Sequence, residues 1–370
     1  MNIVIVNETS MLGGAETMAL ELANALGGIQ GNEVSFVASD GVLLTRLDHN
    51  IKFYKIPLYT PLRIPQILMA FRRIFKEIKP DILHAQGATV GILASIAVRT
   101  ISSRTKIVIT HHSSIFRRTP AFVANFMFKA FFDAYIAISK VKYENFIQSG
   151  IAKDRIVLIP NFVDREKFFI KAKAIDPNVL RSQLDLTLTD KVIVTAGRLL
   201  QAKGMRTFIN TLAQAAAQVP DIQFKGIILG EGPDRVHLEK MIADLKAPNL
   251  KVMLLGFQDN IGPFLKLGDV FLYPTAWKEV LPMILIEAIT LGVPVVCSDI
   301  PGNNDIVQDS LNGFLVDTKQ ADYVTPLLRL LRDKELASDF SHKGTQRAMD
   351  LYDKTKVVGN IFQFYKTLKG

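Results

Sequence analysis

Two glutamates eight residues apart, Glu279 and Glu287, carry the first chemical signal, in the stretch WKEVLPMILIEA from Trp277 to Ala288. Pro282 stands between them, and the apolar run Met283 to Ile286 leads into the second acid. A proline fits the first turn of a helix because its missing N–H would have no intrahelical partner there. The stretch therefore predicts a helix starting near Leu281, with Glu279 in the loop before it and Glu287 about a turn and a half inside. The free N–H groups and partial positive charge at such a helix start suit an anion. One acid at the mouth and one on the inner face can then take two different hydroxyl pairs of a ligand whose phosphates rest at that end. An ordinary amphipathic helix with two solvated glutamates has the same spacing, so the pair gains meaning only from its company.

That company includes two cations. Arg198 and Lys203 lie five residues apart in GRLLQAKG (Gly197–Gly204), between a strand-like run and a helical pattern. A guanidinium fork and a compact ammonium can clamp adjacent phosphoryl groups, each charge-assisted bond contributing roughly 1.5–3 kcal/mol net. Three histidines stand at strand ends: His84, and the pair in Thr110-His111-His112-Ser113. Ligands of open parallel sheets bind beyond the carboxyl ends of the strands, and a histidine there can exchange a proton near pH 7. His49, His237 and His342 read as surface residues. Near the N-terminus, Gly13 and Gly14 follow an apolar run and precede a helical pattern, an arrangement that lets backbone N–H groups approach a phosphate. It is not GxGxxG, and a plain helix cap would look the same.

These residues need a scaffold of alternating strands and helices. Strand-like runs are Ile3–Val6, Glu33–Ala38, Asp81–Ala85, Lys106–Thr110, Ala137–Ser139 and Val157–Asn161. Ile64 to Ile78 has helical periodicity, with Ile67, Leu68, Phe71, Ile74 and Phe75 apolar and Arg72, Arg73, Lys76 and Lys79 basic at or beside it. Residues 162–190 are rich in charge and turn signals and read as the linker. The pattern then restarts: strands at Lys191–Ala196, Ile222–Leu229, Lys251–Gly256, Val270–Tyr273 and Pro294–Ser298, with helices from about Met205 to Val219 and from GEGP (Gly230–Pro233) through Lys246. Such alternation predicts an α/β fold with parallel sheets.

The chain has 370 residues, enough for two domains that each bury a core. Its single cysteine, Cys297, rules out an intrachain disulfide and a cysteine metal cage. With no basic leader before Ile3–Val6, no signal peptide is expected, and the most apolar stretch, Ala88–Val98, is too short to span a bilayer. The net charge of +9 is uneven: residues 1–160 hold 18 Lys and Arg against 11 Asp and Glu, the rest 26 against 24. A basic first half suggests an anionic partner on that half, whether lipid headgroups, a phosphorylated acceptor or nucleic acid. Phe116 to Ile138 sets Arg117, Arg118 and Lys129 among six phenylalanines and a tyrosine. That is either a buried helix or a patch for a membrane interface. Nucleic acid is not expected as a partner, because no helix-turn-helix or zinc pattern appears and the charge excess is modest.

Taken in order, GRLLQAKG, GEGP, Leu255-Gly256-Phe257, EVLPMILIEA and Asn312-Gly313-Phe314-Leu315 resemble the motifs of the family 4 retaining glycosyltransferases. The first half resembles the same family at Gly13-Gly14-Ala15-Glu16, Thr110–Ser113, Ala137–Ser139 and Ile159-Pro160-Asn161, so the resemblance covers nearly the whole chain. It implies the GT-B architecture, two Rossmann-like domains facing each other across a cleft. Residues 1–165 would bind the acceptor and 166–350 the nucleotide-sugar, with 351–370 a helix crossing back to the first domain. It also implies roles. Arg198 and Lys203 would bind the donor diphosphate, Glu287 the ribose hydroxyls and Glu279 the transferred sugar, while Gly14 approaches the phosphate and His112 lies beside the sugar. His112, Arg198, Lys203 and Glu279 form the expected catalytic set. Gly14, Gly197, Gly230, Phe257, Val280, Leu281 and Pro282 join Arg198, Lys203, Glu279 and Glu287 in donor binding. Val280 replaces a glycine usual in the family, and Asp305 stands where a glutamate is common.

No Asp-x-Asp occurs in the chain, so no metal cofactor is expected, with Arg198 and Lys203 taking the metal's place. The expectation is a retaining, metal-independent enzyme at the inner face of the cytoplasmic membrane. It would move a sugar from a nucleotide-diphosphate donor, a UDP-sugar ahead of GDP-mannose, to a lipid-linked or phosphorylated glycan acceptor in surface polysaccharide, lipopolysaccharide or lipid-linked oligosaccharide assembly. Two rivals are a nucleotide-sugar 2-epimerase, which would convert the donor without an acceptor, and a nucleotide-sugar sensor, which would bind without turnover.

Overall fold

The computed structural model describes residues 1–11, 13–112, 129–277 and 279–370. The chain divides into two units, Met1–Phe162 with Lys354–Gly370, and Val163–Asp353. In the first, short apolar runs form β1 (Asn2–Val6), β2 (Glu33–Ala38), β3 (Lys52–Lys55), β4 (Ile82–Ala85), β5 (Lys106–Thr110), β6 (Ala134–Ala137) and β7 (Ile156–Leu158). They pair in parallel in the order β3-β2-β1-β4-β5-β6-β7. Ile3 to Val6 are buried without a break, as are all four residues of β4. Continuous burial of this kind is what a parallel sheet covered on both faces requires.

The second unit repeats the plan with β8 (Lys191–Ala196), β9 (Phe224–Leu229), β10 (Leu250–Leu254), β11 (Val270–Tyr273), β12 (Val295–Ser298) and β13 (Phe314–Val316). Their order is β10-β9-β8-β11-β12-β13, again parallel. In each unit the strand order reverses direction once, between β1 and β4 and between β8 and β11. The loops leaving the carboxyl ends of those strands flank the crevice where such sheets take ligands.

Helices cover both sheets by burying one stripe each. The helix Ile64–Ile78 buries Ile67, Phe71, Ile74 and Phe75 and leaves Arg72, Arg73 and Lys76 outside. Each such buried side chain contributes roughly 1.5–3 kcal/mol, so the apolar stripe outweighs the modest helix propensity of a β-branched and aromatic run. The helix stops at Lys79, whose backbone turns left-handed at φ 50°. The last helix, Lys354–Lys369, belongs to the first unit and buries Val357, Val358, Ile361 and Tyr365 there.

Several elements differ from the sequence reading. Residues 162–190 hold two helices, Arg165–Ala172 and Pro177–Gln183. Both are short and lack an amphipathic run, but each has an aspartate cap: Asp164 accepts from the Lys167 N–H at 3.0 Å and Asp176 from the Asn178 N–H at 2.7 Å. The units exchange at 162/163 and 353/354, a few residues from the boundaries read in the sequence. The helix carrying Glu287 runs Met283–Thr290 with Pro282 as its N-cap, two residues later than expected. The proline is extended at ψ 112°, so it sits before the first turn. Residues 113–128 lie outside the described residues; they include Ser113 of the histidine motif and, from the aromatic, basic stretch, Arg117 and Arg118. Phe132 and Tyr135 are core residues of the first unit, which removes them from any membrane-facing patch.

Candidate active site

The second unit builds its site from two loops at the β8–β11 switch point. Leaving β8, Gly197 to Gly204 carries both expected cations. Gly204 has φ +80°, and a Cβ there would overlap the Pro274 carbonyl oxygen in the loop after β11. Only glycine tolerates both the left-handed backbone and that approach. The Ala276 N–H donates to the Ala202 carbonyl at 2.9 Å, and the Thr275 hydroxyl donates to the same oxygen at 3.2 Å. This backbone stitch delivers Lys203 to Glu279, where its ammonium pairs with Oε1. The Tyr273 hydroxyl, at the end of β11, donates to the same oxygen at 2.8 Å. With 17% and 13% of their side-chain surfaces exposed, Lys203 and Glu279 are more shielded than an ordinary surface pair. Burial first, then the charge of Glu279, holds the Tyr273 phenol protonated far above its usual range.

Around that pair the other expected residues take distinct places. Arg198 is exposed and makes no side-chain hydrogen bond or ion pair among the described residues, so it is not part of the Lys203–Glu279 contact. Gly197 and Gly230 meet backbone to backbone, and the Gly230 N–H donates to the Gly256 carbonyl at 2.8 Å, aligning the loops after β8, β9 and β10. Phe257, next to Gly256, is 58% exposed, an apolar ring presented to solvent. Val280 is half-buried, and Leu281 and Pro282 are buried. A Cβ on Gly302 would lie 2.9 Å from the Val280 carbonyl oxygen and 3.0 Å from that of Glu279, so the Pro301-Gly302 turn backs the Glu279 loop.

Glu287 is the fifth residue of its helix. It is partly exposed at its surface, yet burial of the carboxyl pushes its pKa up to about 7. Its carboxyl makes no hydrogen bond among the described residues. A half-buried acid without donors is costly to keep ionised, and hydroxyl donors arriving with a ligand would relieve that cost.

The first unit places the remaining candidates. Gly14 is exposed at the start of the helix Gly14–Gly27, and the Glu16 carboxylate folds back over Gly13. His112, just past β5, is half-buried, and its Nε2 lies 2.8 Å from Gln86 Oε1. Burial, then the charge of Lys142, lowers its pKa to about 4, so the ring is neutral at physiological pH. His111 is buried and accepts at Nδ1 from the Lys142 ammonium at 3.2 Å, which separates its role from that of His112. His84 is fully buried, with its pKa lowered to about 3 by burial. His49, His237 and His342 are exposed. The sequence reading missed Tyr273, Gln86, Lys142 and Tyr365. The first two stand at the end of β11 and just past β4, a position that could have singled them out; Lys142 and Tyr365 carry no local signal.

Two family models cover most of the chain. The model described as Glycosyltransferase Family 4 matches residues 12–167, and that described as Glycosyl transferases group 1 matches residues 178–347. The chain belongs to the family 4 glycosyltransferases. It is 28% identical over 353 residues to UDP-Gal:alpha-D-GlcNAc-diphosphoundecaprenol alpha-1,3-galactosyltransferase of Escherichia coli, covering 88% of this chain and 87% of the relative. It is 22% identical over 385 residues to N-acetyl-alpha-D-glucosaminyl L-malate synthase of Bacillus anthracis, covering 96% and 94%. The crystal structure of Anabaena HepE in complex with UDP and glucose superposes with a TM-score of 0.81 at 21% identity over 99% of both chains. WaaG, a glycosyltransferase involved in lipopolysaccharide biosynthesis, does so with a TM-score of 0.71 at 14% identity over 100% of both. The fold of this glycosyltransferase is accordingly GT-B, the fold that the family resemblance implied.

Proposed function

We propose that this glycosyltransferase moves a sugar, with retention and without a metal ion, from a UDP-sugar to a lipid-linked or phosphorylated glycan acceptor in surface polysaccharide or lipopolysaccharide assembly. The observation that carries the reading is the loop junction at the β8–β11 switch point, where the Gly204 approach to Pro274 sets Lys203 against Glu279. A donor diphosphate arriving there offers Lys203 a doubly charged partner and frees Glu279 for the hydroxyls of the sugar. Arg198, exposed and unpaired among the described residues, supplies the second cation. Glu287 takes the ribose hydroxyls. As the bond between the sugar C1 and the β-phosphate oxygen breaks, charge grows on the leaving diphosphate. Lys203, Arg198 and the free N–H groups at the start of the Met283–Thr290 helix stabilise it. The acceptor oxygen bonds to C1 from the same face, and its proton passes to the leaving phosphate oxygen.

The donor reading draws on the E. coli relative, named for UDP-Gal, and on UDP in the HepE complex. The acceptor reading draws on the diphosphoundecaprenol in that same relative's name. No helix among the described residues is long and apolar enough to cross a membrane, so work on a lipid-linked acceptor calls for docking of the basic first unit at the inner face of the cytoplasmic membrane.

Thermal-shift screening against UDP, GDP, ADP and their common sugars is expected to select UDP. Transfer to a diphosphoundecaprenol-linked sugar should persist in excess EDTA. Lys203→Ala should lose on the order of 2–4 kcal/mol of transition-state stabilisation, about 30- to 1,000-fold in kcat/KM. Full turnover in that variant contradicts the clamp, and loss of turnover in EDTA contradicts the metal-free mechanism.

A further inference from the structure

Behind His112 lies a buried polar chain that the transfer chemistry above leaves unused. His84 and Gln86 come from the end of β4, Thr110 from the end of β5, and Tyr365 from the final helix Lys354–Lys369. All four are buried, a cost that persists only where their hydrogen bonds are made. The Tyr365 hydroxyl oxygen is 2.5 Å from His84 Nδ1, and Thr110 Oγ1 is 2.7 Å from His84 Nε2. Gln86 Nε2 lies 3.2 Å from His84 Nε2, and Gln86 Oε1 lies 2.8 Å from His112 Nε2.

A neutral imidazole has one N–H and one lone pair, and burial keeps both rings neutral. With Gln86 Oε1 toward His112 and Nε2 toward His84, the protons follow. With its proton on Nδ1, His84 donates to the Tyr365 oxygen, and its Nε2 lone pair is shared by the Thr110 hydroxyl and the Gln86 amide N–H. The opposite tautomer would set an N–H on His84 Nε2 against the nearer Gln86 amide contact and leave the amide hydrogens only His84 Nδ1, at 3.5 Å. The Gln86 nitrogen faces His84 and its oxygen faces His112. That oxygen only accepts, so His112 must carry its proton on Nε2. Its Nδ1 keeps a lone pair, with no hydrogen bond among the described residues.

We propose that Gln86 is a positioning residue for His112, holding it in the Nε2–H tautomer so that Nδ1 accepts a hydrogen bond from a substrate hydroxyl, and that the C-terminal helix sets this state through Tyr365 and His84. The proposal rests on the reading of His112 as the residue beside the transferred sugar. It makes the C-terminal helix part of the site's proton arrangement, in addition to its packing on the first unit. Without Gln86 the ring can rotate or exchange tautomers and present a donor where an acceptor is needed.

Ring nitrogen-15 shifts of the intact, substrate-free protein test it. The six histidines are few enough for His112 to be assigned by its loss in His112→Ala. Wild type should show a protonated Nε2 and an unprotonated Nδ1 for His112. Gln86→Leu, close in volume, should move both signals toward a tautomer mixture and lower kcat at least tenfold, with the donor KM within about twofold. Tyr365→Phe, which keeps the packing ring, should move the same signals in the same direction with a smaller loss in kcat. A wild-type His112 protonated on Nδ1 overturns the proposal, as do unchanged His112 signals and kcat in a folded Gln86→Leu. Full turnover in His112→Ala, with the tautomer shifting as expected in the other two variants, overturns the assigned role of His112 and upholds the relay.

Discussion

Glu287 holds an acid in a place where neither protonation state is fully at ease. Its folded pKa of about 7 stands above the ordinary 4.5, and burial is the cause. Between those two values the folded chain keeps a proton that the unfolded chain has released, so stability falls as pH rises through that window. At pH 8 the folded protein holds a half-buried carboxylate with no hydrogen-bond donor among the described residues. Glu287→Gln should then unfold at a higher urea concentration than wild type at pH 8, by on the order of 2 kcal/mol, and show little difference at pH 4. Nucleotide binding should move the other way. Ribose hydroxyls donate to the ionised form, so UDP affinity in wild type should rise from pH 6 to pH 8. Glu287→Gln should flatten that rise and weaken binding about 5- to 100-fold. Calorimetric titration with UDP at three pH values measures it, and a wild-type affinity independent of pH sinks the ribose assignment.

Loops rather than strands decide whether such residues meet. The Gly204–Pro274 approach joins two βα loops that the sheet alone would only bring near each other. Gly204→Ala forces a side chain into φ +80° and into the Pro274 carbonyl. It should cost roughly 1–3 kcal/mol in the backbone conformation, before any clash is relieved. A lowered denaturation midpoint should accompany loss of donor binding, whereas Gly359→Ala, in the last helix with open space at its Cβ position, should leave both near wild type. Much of this framework was legible in the residues. Ile3–Val6, Lys191–Ala196 and Val270–Tyr273 are short, largely apolar runs that end at Asn7, Gly197 and Pro274, which marks them as buried strands, and the stripe Ile67, Phe71, Ile74 and Phe75 marks its helix. Helices as short as Arg165–Ala172 lack enough turns for a period to show, so only their aspartate caps could have revealed them. The Lys203–Glu279 contact depends on loop geometry across 76 residues, and Tyr365 reaches His84 across 281. Periodicity and spacing report local order, and neither carries information over such distances.

Charge is a property of the whole chain, and here it is lopsided. The excess of Lys and Arg in residues 1–160 has a structural counterpart on the outer side of the Ile64–Ile78 helix, where Arg72, Arg73 and Lys76 are exposed. Leu62, 93% exposed, and Met69, 63% exposed, lie on the same stretch of surface sequence. Two large apolar side chains beside three cations suit an anionic bilayer interface better than bulk water. Each basic side chain near such a surface contributes about 1 kcal/mol, and the attraction decays over a Debye length of about 8 Å at physiological salt. The glycosyltransferase should therefore co-sediment with vesicles containing phosphatidylglycerol at low ionic strength, and release as salt is raised. It should ignore vesicles of phosphatidylcholine alone. Reversing two charges in Arg72→Glu/Arg73→Glu should weaken binding by on the order of 2–4 kcal/mol while leaving UDP affinity unchanged, because those positions lie in the first unit, and Lys203 and Glu287 in the second. Leu62→Asp should weaken it further at high salt, where only the apolar contribution remains. If the double charge reversal binds anionic vesicles as well as wild type does, the helix Ile64–Ile78 is not the docking face, and the basic excess of the first unit acts elsewhere.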